Sequence, residues 1–335
     1  MNAVADGLET LLADPEVTEI LLNGGGQAFV ERRGRLEPVT VGLDEAAIRR
    51  IVERVIAPLG LRLDRSSPMV DARLPDGSRL HAVLPPVAVD GTCVAIRRFG
   101  GGRRELGDFA LSPPGAELLR WAVGAGWNLL LSGGTGAGKT TLLNVLAGEV
   151  APGERIVTIE ETAELALGQP HVVRLEARVA NAEGAGAVPV RALVRASLRL
   201  RPDRLVVGEV RGEEAFDLLQ ALNTGHCGSL CTIHANGPDD ALARLESLVL
   251  LAGVGLPVDA IRAQIRAAVD AVVHVVRRPG GRRAVEVIAE LSGAGGLRPL
   301  YPPGPRPVAP RRAPRRPDAV AFVPQPALFD LSGAA

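Results

Sequence analysis

The residues most suggestive of chemistry form one cluster, Gly133-Gly134-Thr135-Gly136-Ala137-Gly138, followed at once by Lys139, Thr140 and Thr141. Two glycines bracket four residues ahead of Lys-Thr, which is the spacing of a P-loop. Glycines let successive N–H groups turn inward around a phosphate chain, and a helix start adds its positive dipole end. Lys139 can reach the β/γ-phosphates of ATP, and the Thr140 hydroxyl can hold Mg²⁺. Two acidic stretches could complete a hydrolytic site. Leu205-Val-Val-Gly-Glu209 is an apolar run ending in a carboxylate, a Walker-B-like pattern with Gly208 at the usual Asp position, so Glu209 is expected beside Thr140 on the metal. Thr158-Ile-Glu-Glu-Thr-Ala-Glu164 offers a carboxylate to orient or deprotonate the attacking water, with Glu160 the first choice and Glu161 and Glu164 in reserve.

Thr224-Gly-His-Cys-Gly-Ser-Leu-Cys-Thr-Ile-His-Ala-Asn236 holds His226, Cys227, Cys231 and His234. A zinc site is disfavoured, because a strand through Cys231 keeps the four side chains from converging. The pattern is read instead as two histidines flanking a strand beside the P-loop strand and contacting phosphate. Arg191, Arg195 and Arg199 recur at helical spacing, with Arg201 and Arg211 shortly after. Such a stripe is either a solvated face or a set of arginines presented to phosphate across a subunit boundary. Arg73, Arg79, Arg97 and Arg98 pose the same question.

These residues need a scaffold that ends strands at one edge. Asn128–Leu131 reads as the P-loop strand, and Leu142, Leu143, Val145 and Leu146 give the following helix its apolar face. Further strands are expected at 155–160, 204–209 and 229–234, helices at 190–200, 212–223, 239–251 and 257–270, and a closing hairpin at 272–277 and 284–291. Alternation of this kind implies a largely parallel sheet wrapped by helices. Residues 1–99 read as a smaller α+β domain, with strands at 17–22, 28–32, 35–39, 69–74, 79–84 and 92–99 and a helix capped by Asp44. Gly100-Gly-Gly102 opens a hinge at 100–106, the nucleotide domain spans 107–291, and the Pro/Arg-rich segment 292–335 is expected to be mostly disordered.

Composition narrows the function. Across 335 residues, 47% are hydrophobic and 23% charged, a balance that supports a sizeable core. Lys+Arg and Asp+Glu are equal at 38 each and aromatics make up only 3%, which disfavours direct nucleic-acid binding. Three cysteines, no basic leader and no long apolar run fit a reducing, cytoplasmic setting.

Taken together, the P-loop, the acid box at 158–164, Val207-Gly-Glu-Val-Arg-Gly212 and the histidine box at 224–236 resemble the secretion ATPase superfamily of type II and type IV secretion and type IV pili. Ser67-Pro-Met-Val-Asp-Ala-Arg-Leu-Pro-Asp-Gly-Ser78 and Asp14-Pro-Glu-Val-Thr-Glu-Ile-Leu-Leu-Asn23 look like its Tad/Flp pilus assembly (CpaF-type) branch. The resemblance covers about residues 8–291. It implies an α/β chain with a RecA-like P-loop NTPase domain and a smaller N-terminal PAS-like domain, assembled as a homo-hexamer. That ring would hydrolyse ATP, with Mg²⁺ as cofactor, to move inner-membrane platform proteins, associating with the membrane through partners and binding no nucleic acid directly. It assigns Lys139 and Thr140 to phosphate and Mg²⁺, Glu160 to catalysis, Glu209 to Walker B, His226 and His234 to the histidine box, and Arg79, Arg97 and Arg211 to closing the site. Two residues depart from the pattern: Glu161 stands where Asp is usual, and Cys227 where an acid is common. A conjugation-associated or DNA-translocating motor and a nucleotide-gated, non-hydrolysing scaffold are the competing functions.

Overall fold

The computed structural model describes residues 3–24, 26–32, 34–74, 76–98, 104–181, 183–293, 295–302 and 307–323, with side chains from residue 8 onward. The chain divides into two compact units, 1–103 with 178–188, and 104–177 with 189–335. The expected hinge glycines 100–102 lie outside the described residues.

The first unit holds α1 (Ala3–Ala13), β1 (Val17–Asn23), β2 (Ala28–Arg32), β3 (Arg35–Val39), α2 (Glu45–Ile56), β4 (Met69–Arg73), β5 (Arg79–Val83) and β6 (Cys93–Arg97). Its six strands form an antiparallel sheet in the order β3-β2-β1-β6-β5-β4. Asp44 caps α2 by accepting the Ala47 N–H at 2.7 Å, and Ile48, Val52 and Ile56, one face of that helix, join Ile20, Leu22, Val30, Leu80 and Ile96 in the core.

The second unit is built from α3 (Pro113–Gly124), β7 (Leu129–Gly133), α4 (Lys139–Gly148), β8 (Ile156–Glu160), β9 (Val172–Glu176), α5 (Val190–Ser197), β10 (Arg204–Val210), α6 (Glu214–Asn223), β11 (Leu230–His234), α7 (Pro238–Leu251), α8 (Val258–Ala268), β12 (Ala271–Arg277), β13 (Arg283–Leu291) and β14 (Leu297–Tyr301). Its sheet runs β14-β13-β12-β7-β11-β10-β8-β9. The six strands from β12 to β9 are parallel, and β13 and β14 are antiparallel additions at one edge. β7 and β8 are buried along their whole length, which is why they read as continuous apolar runs rather than alternating ones. Leu129, Leu131, Leu142 and Leu146 belong to the core on one face, and Leu130, Val157, Val207 and Ile233 to the core on the other. Among the described residues no helix is long and apolar enough to cross a membrane.

The structure corrects three sequence expectations. First, the unit starts before residue 107: a short 3₁₀ turn at Leu106–Phe109 buries Leu106 and Phe109, with Glu105 and Asp108 capping each other's backbone. Secondly, residues 178–188 leave the sheet domain and group with the first unit, closed by the Arg178–Val188 bridge. Thirdly, residues 295–302 and 307–323, the described parts of the expected tail, are not solvated chain. β14 completes the sheet, and residues 307–323 lie along the edge where the parallel strands begin. Arg312 and Arg315 pair with Asp270, Arg316 pairs with Glu154, and the Arg311 and Arg312 N–H groups donate to Glu290. This strap has no hydrophobic period because ion pairs hold it, and their partners are acids buried elsewhere in the chain.

Two further observations locate its strength. Arg204, only 1% exposed, donates to both Glu154 oxygens at 2.6 and 3.1 Å and to the Gly228 and Val123 carbonyls. Although burial opposes its ionisation, the guanidinium groups of Arg204 and Arg316 hold the Glu154 carboxyl below the usual range. Arg204→Ala leaves that carboxylate short of a partner and is expected to destabilise the unit by about 3–5 kcal/mol, read as a lowered thermal unfolding midpoint. Trp127 donates to the Ala313 carbonyl at 3.1 Å and Trp121 to that of Val320 at 2.7 Å, while Phe322 sits against Trp121. Since the chain has only these 2 tryptophans, deleting everything after Pro302 is expected to red-shift its tryptophan emission; unchanged emission would show that the strap does not cover them.

Candidate active site

The second sheet explains why the P-loop stands where it does. β11 lies between β7 and β10, with His234 opposite Gly133 and Ile233 opposite Ser132, so the carboxyl ends of these strands form one edge. The loop 134–138 rises from that edge and feeds α4. Gly133 and Gly138 are each required. A methyl on Gly133 would come within 2.3 Å of the Val275 carbonyl oxygen, and Gly138, the N-cap residue just before α4, has φ +103°. A glycine-rich loop that runs into a helix start suits an anion, and Lys139, mostly buried, donates to the Gly133 and Gly134 carbonyls at 3.0 Å each. Thr135 and Gly136 line the exposed tip of the loop, Ala137 is buried beneath it, and Thr140 and Thr141 fall in the first turn of α4.

Glu160 ends β8, directly beside β10. Its side chain is 3% exposed; one oxygen accepts the N–H groups of Glu164 and Leu165 at 2.8 and 3.0 Å, while Oε2 is buried without a hydrogen-bond partner. Burial pushes its pKa up to about 7, against the opposing pull of those two N–H groups and of Arg174. Gly208 is explained by the same carboxylate: a methyl there would meet Glu160 Cγ at 3.0 Å, so the absent side chain on β10 is the space that Glu160 fills.

Glu209 follows in a bulge of β10 between Val207 and Val210. It accepts from Arg211 at 2.8 Å, and Arg211 also donates to Glu161 at 2.6 Å, so one guanidinium joins the acid box to the strand end. The hydrogen bond with Glu209, followed by Coulombic attraction to the same residue, to Glu161 and to Glu164, raises the Arg211 pKa against partial burial. Glu214, passed over in the sequence, accepts the N–H groups of Arg211 and Gly212 at 2.7 and 2.8 Å and fixes this turn. The oxygen donors Thr140 and Glu209 both sit at the strand-end edge and are of the hard type that suits Mg²⁺.

The histidine box does not gather in one place. His234 is exposed at the P-loop edge, level with Gly133. His226 precedes β11 at the other edge: it bonds the Ala221 carbonyl at 3.0 Å, and Ser229, next to it, donates to Asn128 ahead of β7. The length of β11, roughly 13 Å, separates the two, so His226 cannot meet a phosphate held by its own P-loop. Among the described residues no three His, Cys, Asp or Glu side chains gather as a metal site. In the arginine stripe, Arg191 and Arg195 are each 2.7 Å from Asp217 on α6, while Arg199 donates to the Arg195 carbonyl at 3.2 Å. Arg79 and Arg97 belong to the first unit, where they stand directly opposite each other on β5 and β6, with Arg73 next in the row.

The sequence reasoning also missed a histidine. His274, buried on β12, faces Ser132 at 2.9 Å beneath the cradle. Burial and, to a smaller degree, the Lys139 charge lower its pKa, although Glu286 pulls it upward. Its place depends on β12 flanking β7, a pairing that no local pattern specifies.

Residues 3–290 match the family model described as "Type II/IV secretion system protein". A putative conjugal transfer protein of Mycobacterium tuberculosis is 45% identical over 300 residues, covering 86% of this chain and 85% of that protein. A type IV secretion system protein PtlH homolog of Bordetella bronchiseptica is 36% identical over 321 residues, covering 84% and 92%. Among solved structures, the Legionella pneumophila ATPase DotB superposes with a TM-score of 0.60 at 20% identity, covering 88% of this chain and 82% of that one, a likeness of fold. The chain therefore belongs to the type II/IV secretion system protein family, with a RecA-like P-loop domain and a smaller N-terminal domain.

Proposed function

We propose that this chain hydrolyses ATP at its P-loop and works as a homo-hexamer that drives membrane platform proteins of a secretion or pilus machine. The observation that carries the hydrolytic part is Glu160: a buried carboxyl with one oxygen fixed, the other without a partner, and a pKa near 7. Such a group takes a proton from a water at neutral pH. The phosphates lie on the N–H groups of 134–140, Lys139 binds the β/γ oxygens, and His234, level with Gly133, adds a hydrogen-bonding contact. Glu160 orients the attacking water and accepts its proton, and Glu209 exchanges its bond with Arg211 as the site fills. Thr140 and Glu209 would hold Mg²⁺, which supplies charge neutralisation of the phosphates when bound.

The motifs at 14–23 and 67–78 support a Tad-type pilus as the machine driven, while the names of the relatives favour conjugal transfer or type IV secretion. The two are separated by measuring ATP turnover and particle mass with and without duplex DNA. A hexamer whose turnover ignores DNA supports the platform-driving motor; DNA-stimulated turnover favours the translocating one. A chain that binds ATP and releases no phosphate is the scaffold and refutes the hydrolytic reading.

A further inference from the structure

The β12–β13 hairpin closes over the P-loop of its own chain. β12 is parallel to β7 with Val273 opposite Leu131 and His274 opposite Ser132, so its turn at 278–282 emerges at the edge that carries the cradle. Arg277 and Arg283 end the two strands directly opposite each other. Both reach the loop. Arg283 Nη1 donates to Thr141 Oγ1 at 3.0 Å, and a methyl on Gly138 would meet Arg283 Cδ at 2.6 Å and Nε at 3.1 Å. A methyl on Gly136 would lie 3.5 Å from Arg277 Nη1. Both guanidinium groups thus lie along the loop that Lys139 follows, and guanidinium groups bind phosphate through charge-assisted, often bidentate, bonds.

We propose that Arg277 and Arg283 form a cationic clamp facing the P-loop, gripping the phosphates that ADP and ATP share. The assignment rests on nucleotide binding at this P-loop as argued above. The shared phosphates are indicated by position: Arg283 lies on Gly138 and Thr141, which bracket Lys139 in the first helical turn, and the loop backbone cradles the α/β-phosphates. The clamp therefore governs nucleotide affinity and ADP retention rather than the hydrolytic step. Neither arginine was singled out in the sequence, where both read as charges flanking a hairpin turn.

The test measures binding of N-methylanthraniloyl-ADP and displacement by ADP and ATP, together with kcat at saturating ATP. It compares the full chain with Arg283→Ala, Arg283→Gln, Arg277→Ala and, as a neighbour on the same turn outside the clamp, Arg282→Ala. Losing one charge-assisted phosphate contact is expected to weaken ADP and ATP alike by about tenfold or more in Arg283→Ala and Arg283→Gln, and by several-fold in Arg277→Ala. Arg282→Ala is expected to bind as wild type, and kcat to stay within about threefold throughout. The glutamine variant keeps a polar reach to Thr141, so it decides the matter if the alanine variant misfolds. Affinities within twofold of wild type in Arg283→Gln would overturn the clamp, as would a loss confined to ATP with a collapse of kcat. A wild-type chain that binds nucleotide without hydrolysing it refutes the hydrolytic reading, yet the clamp is still decided by these affinities. A wild-type chain that binds no nucleotide overturns both.

Discussion

Lys139→Ala is expected to bind ATP and ADP at least about 100-fold more weakly than the wild-type chain and to release phosphate only at background. Its ammonium is already held between the Gly133 and Gly134 carbonyls at 3.0 Å, so little ordering remains to be done when a phosphate chain arrives. Each charge-assisted bond is worth about 1.5–3 kcal/mol, and two of them give the stated loss. Isothermal titration with ADP measures it. The fold should persist, because the Gly133 and Gly134 carbonyls keep the Ala235 and Ala137 N–H groups as donors. Near-wild-type affinity would remove the P-loop from the nucleotide site.

Glu160→Gln is expected to separate binding from chemistry. The amide cannot accept the water proton, so kcat should fall by about 10²–10⁴-fold while ADP affinity stays within a few-fold. The same carboxyl makes a prediction about stability whose sign follows from its raised pKa. The unfolded chain ionises it near the ordinary 4.5, and the folded chain only near about 7. Between those values the folded state binds more protons, so Glu160 costs stability increasingly as pH rises from 4.5 to 7, by about 3 kcal/mol in full. Below 4.5 the cost is absent. The gap in unfolding midpoint between wild type and Glu160→Gln should therefore shift in the variant's favour from pH 5 to pH 8. A gap independent of pH would mean that the carboxyl is not held at a raised pKa, and the argument for it as the base at neutral pH would fail.

Much of this was legible from residues alone, for identifiable reasons. The P-loop strand, the acidic strand ends and the strand of the histidine box are short apolar runs stopped by glycine or a charge, and the spacing carries their chemistry. The cap at Asp44 was visible in the same local way. What stayed hidden depends on which strands become neighbours. Nothing local says that β12 pairs with β7, so His274, Arg277 and Arg283 could not be placed at the cradle. Gly208 was noticed as a departure, but its cause, the Glu160 side chain from β8, lies 48 positions away in a different strand. His226 lies away from its own P-loop because a box continuous in sequence is spread along a strand that crosses the sheet. The strap after Leu291 was missed because its order comes from Asp270, Glu154 and Glu290, acids whose burial no periodicity reveals.

The most direct test is steady-state phosphate release from ATP by the purified wild-type chain, followed from pH 5.5 to 8.5 against Lys139→Ala as background. The account predicts release well above that background, with kcat rising through about pH 7 as Glu160 loses its proton. Release no higher than the Lys139→Ala background at any pH would contradict it.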